Sequence, residues 1–323
     1  MKKVFITGGS GTVGSAFIER NYNKYKFYSY SRNEKQQVAL KRRFPNVEIV
    51  FGTIEDLNHL TSEILKASPD IIIHAAALKH IDTAEKQPHH AISVNLFGSA
   101  NIVEAARTCN VPITIGISTD KACKPDSVYG YTKLLMEKLF SDADNSRNRF
   151  ACCRFGNVAG SHGSVIPFWL GLNTKGQKLK LTDAHMNRLM FLPQDSAELI
   201  EKTIELSISS EYGGGFVLSK KMKNVNMLNL SRVISPEVEI VGLRPGEKLD
   251  EDLISEKEAE YSQVVLGGDY ILLSKEKNKN KSTRLEGSLD TTTAKNMTTK
   301  ELEEMVDQVK THLSSTLLLE GQY

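Results

Sequence analysis

Four cysteines in 323 residues leave little to cross-link. Cys109, Cys123, Cys152 and Cys153 contain no C-x-x-C pair, and the adjacent Cys152 and Cys153 would point to opposite faces of a strand, so neither a zinc site nor a disulfide framework is expected. Small buried hydrophobes in a reducing compartment remain. Long apolar runs are missing too: a membrane span needs about 20 continuous apolar residues, and stretches such as Asp70 to Leu78 are short and interrupted. Val4-Phe5-Ile6 gives way at once to Thr7-Gly8-Gly9, too short for the apolar region of a signal peptide, so a soluble, cytoplasmic protein is expected. Surplus charge is also absent. With 41 basic against 39 acidic side chains, net +2, nucleic acid is a poor candidate partner. His80, His89, His90, His162 and His185 lack metal-ligand spacing, and no metal is expected.

What is present supports a sizeable core, with 40% hydrophobic and 25% charged residues over a length that suits one large or two ordinary domains. Runs of strand length at Lys3 to Thr7, Lys26 to Tyr30, Val47 to Phe51, Ile71 to Ala75, Ile113 to Ser118 and Phe150 to Phe155 alternate with longer amphipathic stretches. The latter, at Ser15 to Asn21, Asn58 to Lys66, His90 to Thr108 and Tyr129 to Phe140, read as helices. Strand-helix alternation with right-handed crossovers predicts an α/β fold: a Rossmann-like, doubly wound parallel sheet with a smaller C-terminal substrate-binding region.

Val4 to Gly14 reads as a strand, a glycine turn and a helix start. Gly8 permits the turn, Gly11 lets backbone approach a pyrophosphate, and Gly14 allows close helix packing. The second strand ends Ser29-Tyr30-Ser31-Arg32, and a hydroxyl followed by a guanidinium suits the 2'-phosphate of NADP, with Lys35 as a second cation. Glu34 has the spacing of an NAD-type acid but falls beyond the strand end, so NAD is the lesser expectation. Residues 1–155 are therefore expected to form an NADP-binding domain with 189–218 packing back onto it. Residues 156–188, rich in Gly, Pro, Asn and Thr, would join 219–275 as the substrate region, and 276–323 would form a polar loop and C-terminal helix. Within that map Gln194 to Ser207 reads as a helix, and Gly213-Gly214-Gly215 as a turn before the strand Phe216-Val217-Leu218. Lys275 to Lys281 reads as a solvated loop. Thr298 and Glu301 form a capping box opening a helix through Leu302, Met305, Val306 and Val309.

Tyr129 and Lys133 stand four apart at a helix start, on one face. Lys133 beside the phenol, with a positive nicotinamide, would lower the Tyr129 pKa so that it takes a proton from a substrate alcohol as hydride leaves.

At this point the sequence resembles the extended short-chain dehydrogenase/reductase family, whose marks are Thr-Gly-x-x-Gly-x-x-Gly and Tyr-x-x-x-Lys. Ser118-Thr119-Asp120-Lys121, followed by Tyr129 and Lys133, is similar to the nucleotide-sugar 4,6-dehydratases. The Lys after the Asp matches those acting on UDP-N-acetylglucosamine, where dTDP-glucose dehydratases have Glu. The likeness continues through Ala75 to His80, Asn95 to Gly98, Arg154 to Val158, Thr182 to Arg188 and Arg244 to Lys248, and fades after about Leu273. It is strongest to the short, soluble, inverting enzymes that lack the membrane-anchored region of the longer retaining ones.

The resemblance implies a homo-oligomer with Thr119, Asp120, Lys121, Tyr129 and Lys133 as catalytic residues. Lys121 would take the C5 proton, which requires an amine kept neutral by burial and by cations such as Lys133, while Asp120 would protonate the departing C6 hydroxyl. Cofactor contacts are implied at Gly8, Ser10, Gly11, Thr12, Val13, Gly14, Ser31, Arg32, Thr53, Ile54, Ala75, Ala76, Ala77, Lys79 and Val158. Lys79, His80, Asn95, Asn157, Arg188, Arg244 and Glu247 are implied around the UDP-sugar. One departure is Thr53, which stands where the family usually has an Asp contacting adenine. Two other functions compete: a UDP-hexose 4-epimerase or reductase, which gains nothing from Asp120-Lys121, and a non-catalytic NADP-binding regulator, which would tend to lose Tyr129 or Lys133.

Overall fold

The apolar runs become strands, the central ones buried from both sides and the edge run that ends at Phe51 half exposed. The fold is taken from a computed structural model that describes residues 1–244, 246–276 and 282–320, with side chains as far as Leu313. Pro245 and most of the Lys275 to Lys281 loop, from residue 277 on, lie outside the described residues. Strands β1 (Lys2–Thr7), β2 (Tyr25–Ser31), β3 (Glu48–Phe51), β4 (Ile71–His74), β5 (Ile113–Ile117) and β6 (Arg149–Arg154) pair in the order β3-β2-β1-β4-β5-β6, all parallel. This is the Rossmann-like doubly wound order, whose direction of winding reverses between β1 and β4 and leaves a crevice at the carboxyl ends of those strands.

Alternate residues feed two cores. Val4, Ile6, Ile73 and Cys153 face one cluster, and Phe5, Ile72 and Cys152 face the other, so the adjacent thiols do point to opposite faces. Val217–Lys220 adds a parallel strand beside β6. Tyr270–Leu273 and Ser262–Val265, which lie in the stretch expected to build the substrate region, add two antiparallel strands to make a nine-stranded sheet. The turn before Val217 uses left-handed backbone at Gly213 (φ 64°) and Gly215 (φ 75°), which glycine tolerates without strain.

Helices close the crossovers. The expected single helix from His90 to Thr108 is broken by a π-helical turn at Ser93–Phe97 between Pro88–Ile92 and Gly98–Thr108. Such a turn widens the helix and redirects side chains. A helix at Glu34–Arg43 was not anticipated, because its buried face is reduced to Gln37 and Leu40. Helices at Val165–Thr174 and Met227–Ile234 were also unforeseen.

A third core lies beyond the main sheet. Trp169, Leu179, Leu181, Val225 and Leu230 are covered by Leu302, Met305, Val306 and Val309 of the helix Thr299–Glu320. That helix starts as expected: Thr298 Oγ1 accepts from Glu301 N (3.3 Å) and the Glu301 carboxylate accepts from Thr298 N (2.9 Å). Among the described residues no helix is long and apolar enough to cross a membrane.

Candidate active site

The crevice between β1 and β4 opens into a cavity of about 570 Å³. Its floor is the glycine turn. Gly8 has φ +70°, and a Cβ there would lie 2.8 Å from Ala76 N; a Cβ at Gly14 would lie 2.7 Å from Gly8 O and 2.6 Å from Gly9 Cα. Both positions exclude a side chain, which lets the helix Thr12–Asn21 begin hard against the turn. Its N-cap, Gly11, supplies no side-chain hydrogen bond, and the buried Ser10 hydroxyl has no hydrogen-bond partner among the described residues. Unsatisfied donors at a helix start are what a pyrophosphate needs, so the donor set fits a dinucleotide.

Every residue implied for the cofactor lines this cavity except Lys35, which sits exposed on the helix Glu34–Arg43. Arg32 stands exposed on the wall with no hydrogen bond or ion pair to another described residue. The Thr53 hydroxyl donates to Glu55 Oε2 (2.7 Å), and its carbonyl accepts from the Tyr30 phenol (2.9 Å). The hydroxyl that replaces the family's Asp has thus spent its donor and keeps its capacity to accept. Tyr30, Asn33, Gln36, Glu55 and the loop Ser161 to Ser164 also line the cavity, none of them expected there from the sequence.

At the far end β5 leads through Ser118 and Thr119 into a tight turn, Asp120–Ala122, facing the helix Val128–Ala143. Ser127 caps that helix by accepting from Gly130 N (3.2 Å), and a Cβ on Gly130 would strike the Lys121 carbonyl oxygen. Glycine therefore lets Tyr129 approach the turn. Thr119, Lys121, Tyr129 and Lys133 line the cavity; Asp120 lies just behind, 1% exposed. Asp120 Oδ1 accepts from Thr119 Oγ1 (2.8 Å), Lys121 N (3.0 Å) and Lys121 Nζ (3.0 Å), while Oδ2 is buried without a partner among the described residues.

The charge states differ from expectation at two residues. Burial pulls the Lys121 amine down, but Asp120 and Glu251, with Nζ to Oδ1 at 3.0 Å and Nζ to Oε1 at 3.3 Å, outweigh it and hold the ammonium above its ordinary value. The expected neutral lysine is a charged one. Burial also pushes the Tyr129 phenol up to about 12, against pulls from Lys121 and a hydrogen bond to Thr119. Lys133, expected to lower it, instead donates to Ile117 O (2.6 Å), and burial brings its own amine down to about 8.

Of the residues implied for substrate, Lys79, His80 and Asn157 line the cavity, and Asn95, Arg188, Arg244 and Glu247 do not. Asn95 projects from the π-helical turn; its Oδ1 accepts from Leu78 N (2.8 Å) and its Nδ2 donates to Leu78 O (3.0 Å), so it pins the loop after β4. Arg188 is buried against Asn187 O (2.7 Å), Leu249 O (3.3 Å) and Glu251 (4.0 Å). Arg244 is exposed, its backbone N donating to Glu247 Oε2 (3.1 Å). Lys79 Nζ donates to His162 O (2.6 Å), and His162 N to Thr12 Oγ1 (3.2 Å), which draws the Ser161 to Ser164 loop over the glycine turn.

Residues 4–267 match the family described as polysaccharide biosynthesis protein. The chain belongs to that family. Among its relatives, a UDP-N-acetylglucosamine 4,6-dehydratase (inverting) of Campylobacter jejuni is 35% identical over 266 residues, 79% of this chain and 78% of that one. A UDP-glucose 4-epimerase of Rickettsia canadensis is 32% identical over 283 residues, 83% of this chain and 82% of that one. The X-ray structure of Pen from Bacillus thuringiensis superimposes with a TM-score of 0.86 at 28% identity, over 96% of this chain and 98% of that one.

Proposed function

We propose that the protein is an NADP-dependent UDP-N-acetylglucosamine 4,6-dehydratase that inverts C5. The observation that carries this reading is the Asp120–Lys121 pair at the cavity end beside Thr119 and Tyr129, an acid and a base adjacent to an alcohol-oxidising tyrosine. Asp120-Lys121 has no task in an epimerase. The inverting relative supports the stereochemistry, and Arg32, free at the wall where a 2'-phosphate would lie, supports NADP.

A bound nicotinamide supplies a hydride acceptor that later returns the hydride. The rest falls to the chain. Tyr129, ionised beside the positive nicotinamide with its own proton released to solvent, takes the C4 hydroxyl proton, and Thr119 and Tyr129 hydrogen-bond the ketone so formed, which acidifies the C5 hydrogen. A proton moving from the Lys121 ammonium to the Asp120 carboxylate along their 3.0 Å hydrogen bond makes two catalysts at once. The freed amine takes the C5 proton, and the new acid protonates the C6 hydroxyl as water leaves. Lys121 ends as ammonium and Asp120 as carboxylate, so the resting ion pair is restored.

Incubating the protein with UDP-N-acetylglucosamine and NADP tests the reading. A product lighter by one water, with no net build-up of reduced cofactor, is expected, and proton NMR of product made in heavy water reads its C5 configuration. An isomer of unchanged mass would favour the epimerase, and unreacted sugar nucleotide would refute both.

A further inference from the structure

A second carboxylate reaches the Lys121 amine from a part of the chain that the reaction has not used. Glu251 Oε1 lies 3.3 Å from Lys121 Nζ, its side chain only 6% exposed, and it does not line the cavity. Two segments hold it there. Its backbone N donates to Thr291 Oγ1 (3.2 Å) and Thr291 N donates back to its carbonyl (3.0 Å), while Arg188 Nε stands 4.0 Å from the carboxylate.

We propose that Glu251 is a positioning residue of the elimination step, holding the Lys121 amine beside Asp120 and governing when it surrenders its proton. The proposal rests on the dehydratase reading. A lysine side chain turns freely about four carbons, and a single acceptor leaves it a cone of directions. Asp120 takes one N–H as a hydrogen bond, and Glu251 draws the ammonium from a second side as an ion pair, which narrows the directions left to face the sugar. The groups around that nitrogen are Asp120 and Glu251, the Arg188 guanidinium behind Glu251, and the Tyr129 phenol from the neighbouring helix. The two carboxylates and two cations balance, so Glu251 supplies a negative charge that keeps the proton on Lys121 and opposes its transfer to Asp120. That charge and that grip are separable by substitution.

Glu251→Gln keeps the shape and removes the charge. The pH at which C5 deprotonation sets in, followed as loss of water in single turnovers, is expected to fall by about one unit or more. C4 oxidation, followed as transient reduced cofactor, is expected to keep its own pH profile, because Tyr129 carries it. Glu251→Ala removes the grip as well, and turnover of the elimination is expected to fall roughly tenfold or more with KM for the sugar nucleotide within about twofold. Glu251→Asp should recover part of that loss. Melting curves for each variant separate misfolding from the effect sought. If cooperatively folded Glu251→Gln and Glu251→Ala both eliminate water with wild-type rates and pH dependence, or if C4 oxidation falls in step with elimination, the proposal is overturned while the dehydratase reading stands. If the wild-type protein releases no dehydrated product, that reading fails and this one with it.

Discussion

Lys121 shows what one side chain can reveal and conceal. Its type and its place after Asp120 were legible in the sequence, because neighbours along the chain carry the motif. Its charge was not, because the deciding group, Glu251, arrives from far along the chain in a run, Asp250-Glu251-Asp252, that carries no motif. Lys121→Ala should abolish water loss and, because it leaves Asp120 and Glu251 buried without that cation, lower the melting temperature while melting stays cooperative, which product mass and a thermal melt would check. Asn95 was read as a substrate residue, yet its carboxamide satisfies both backbone groups of Leu78. Asn95→Ala leaves them unpaired and should cost about 1–3 kcal/mol in denaturant titration. Arg32→Ala should weaken NADP binding by about tenfold to a hundredfold, the worth of a lost charge-assisted contact, and leave NAD binding nearly unchanged. Titration of cofactor fluorescence with both dinucleotides would measure the difference.

The elements were legible to different depths for physical reasons. Strands buried on both faces announce themselves as apolar runs, and β1, β2, β4, β5 and β6 lie within a residue or two of where the sequence puts them. The helix Glu34–Arg43 went unseen because the group that buries it is polar: Gln37 Nε2 donates to Ser29 O (2.7 Å) and its Oε1 accepts from Ser29 Oγ (2.6 Å). Periodicity counts apolar residues, so a helix docked by a carboxamide is invisible to it. The glycine turn is the opposite case, since its chemistry is local. Gly14→Ala would force a Cβ against Gly8 O and Gly9 Cα, and the backbone has no side chain to yield. Dinucleotide affinity should drop at least about tenfold with a stability loss of about 1–3 kcal/mol, read by calorimetric titration and thermal melting.

At the scale of the molecule, a buried ion triad ties the sheet to the region beyond it. Arg154 of β6, fully buried, is gripped by Glu137 of the helix Val128–Ala143 (2.7 Å) and by Glu258 of the short helix Glu256–Ala259 (2.9 Å). Burial raises the Glu258 carboxyl, but Arg154 overrides it and holds the group at about 2 against an ordinary 4.5. A depressed carboxylate binds its proton more readily in the unfolded chain. Its stabilising share, about 3 kcal/mol, is therefore complete above pH 4.5 and is lost as pH falls toward 2. Melting temperatures of Glu258→Gln should be lower at neutral pH and flatter through that acid window than those of the unaltered protein.

Among the described residues no side chain of the helix Thr299–Glu320 lines the cavity, yet Val309 packs against Gly160, where a Cβ would sit 2.9 Å from its Cγ2. Gly160, with φ +72°, is the foot of the loop that His162 fastens over the glycine turn. Through Val309 that helix backs the foot of the loop over the glycine turn. Damage there would be felt first as faster dinucleotide release, well before the sheet itself gives way.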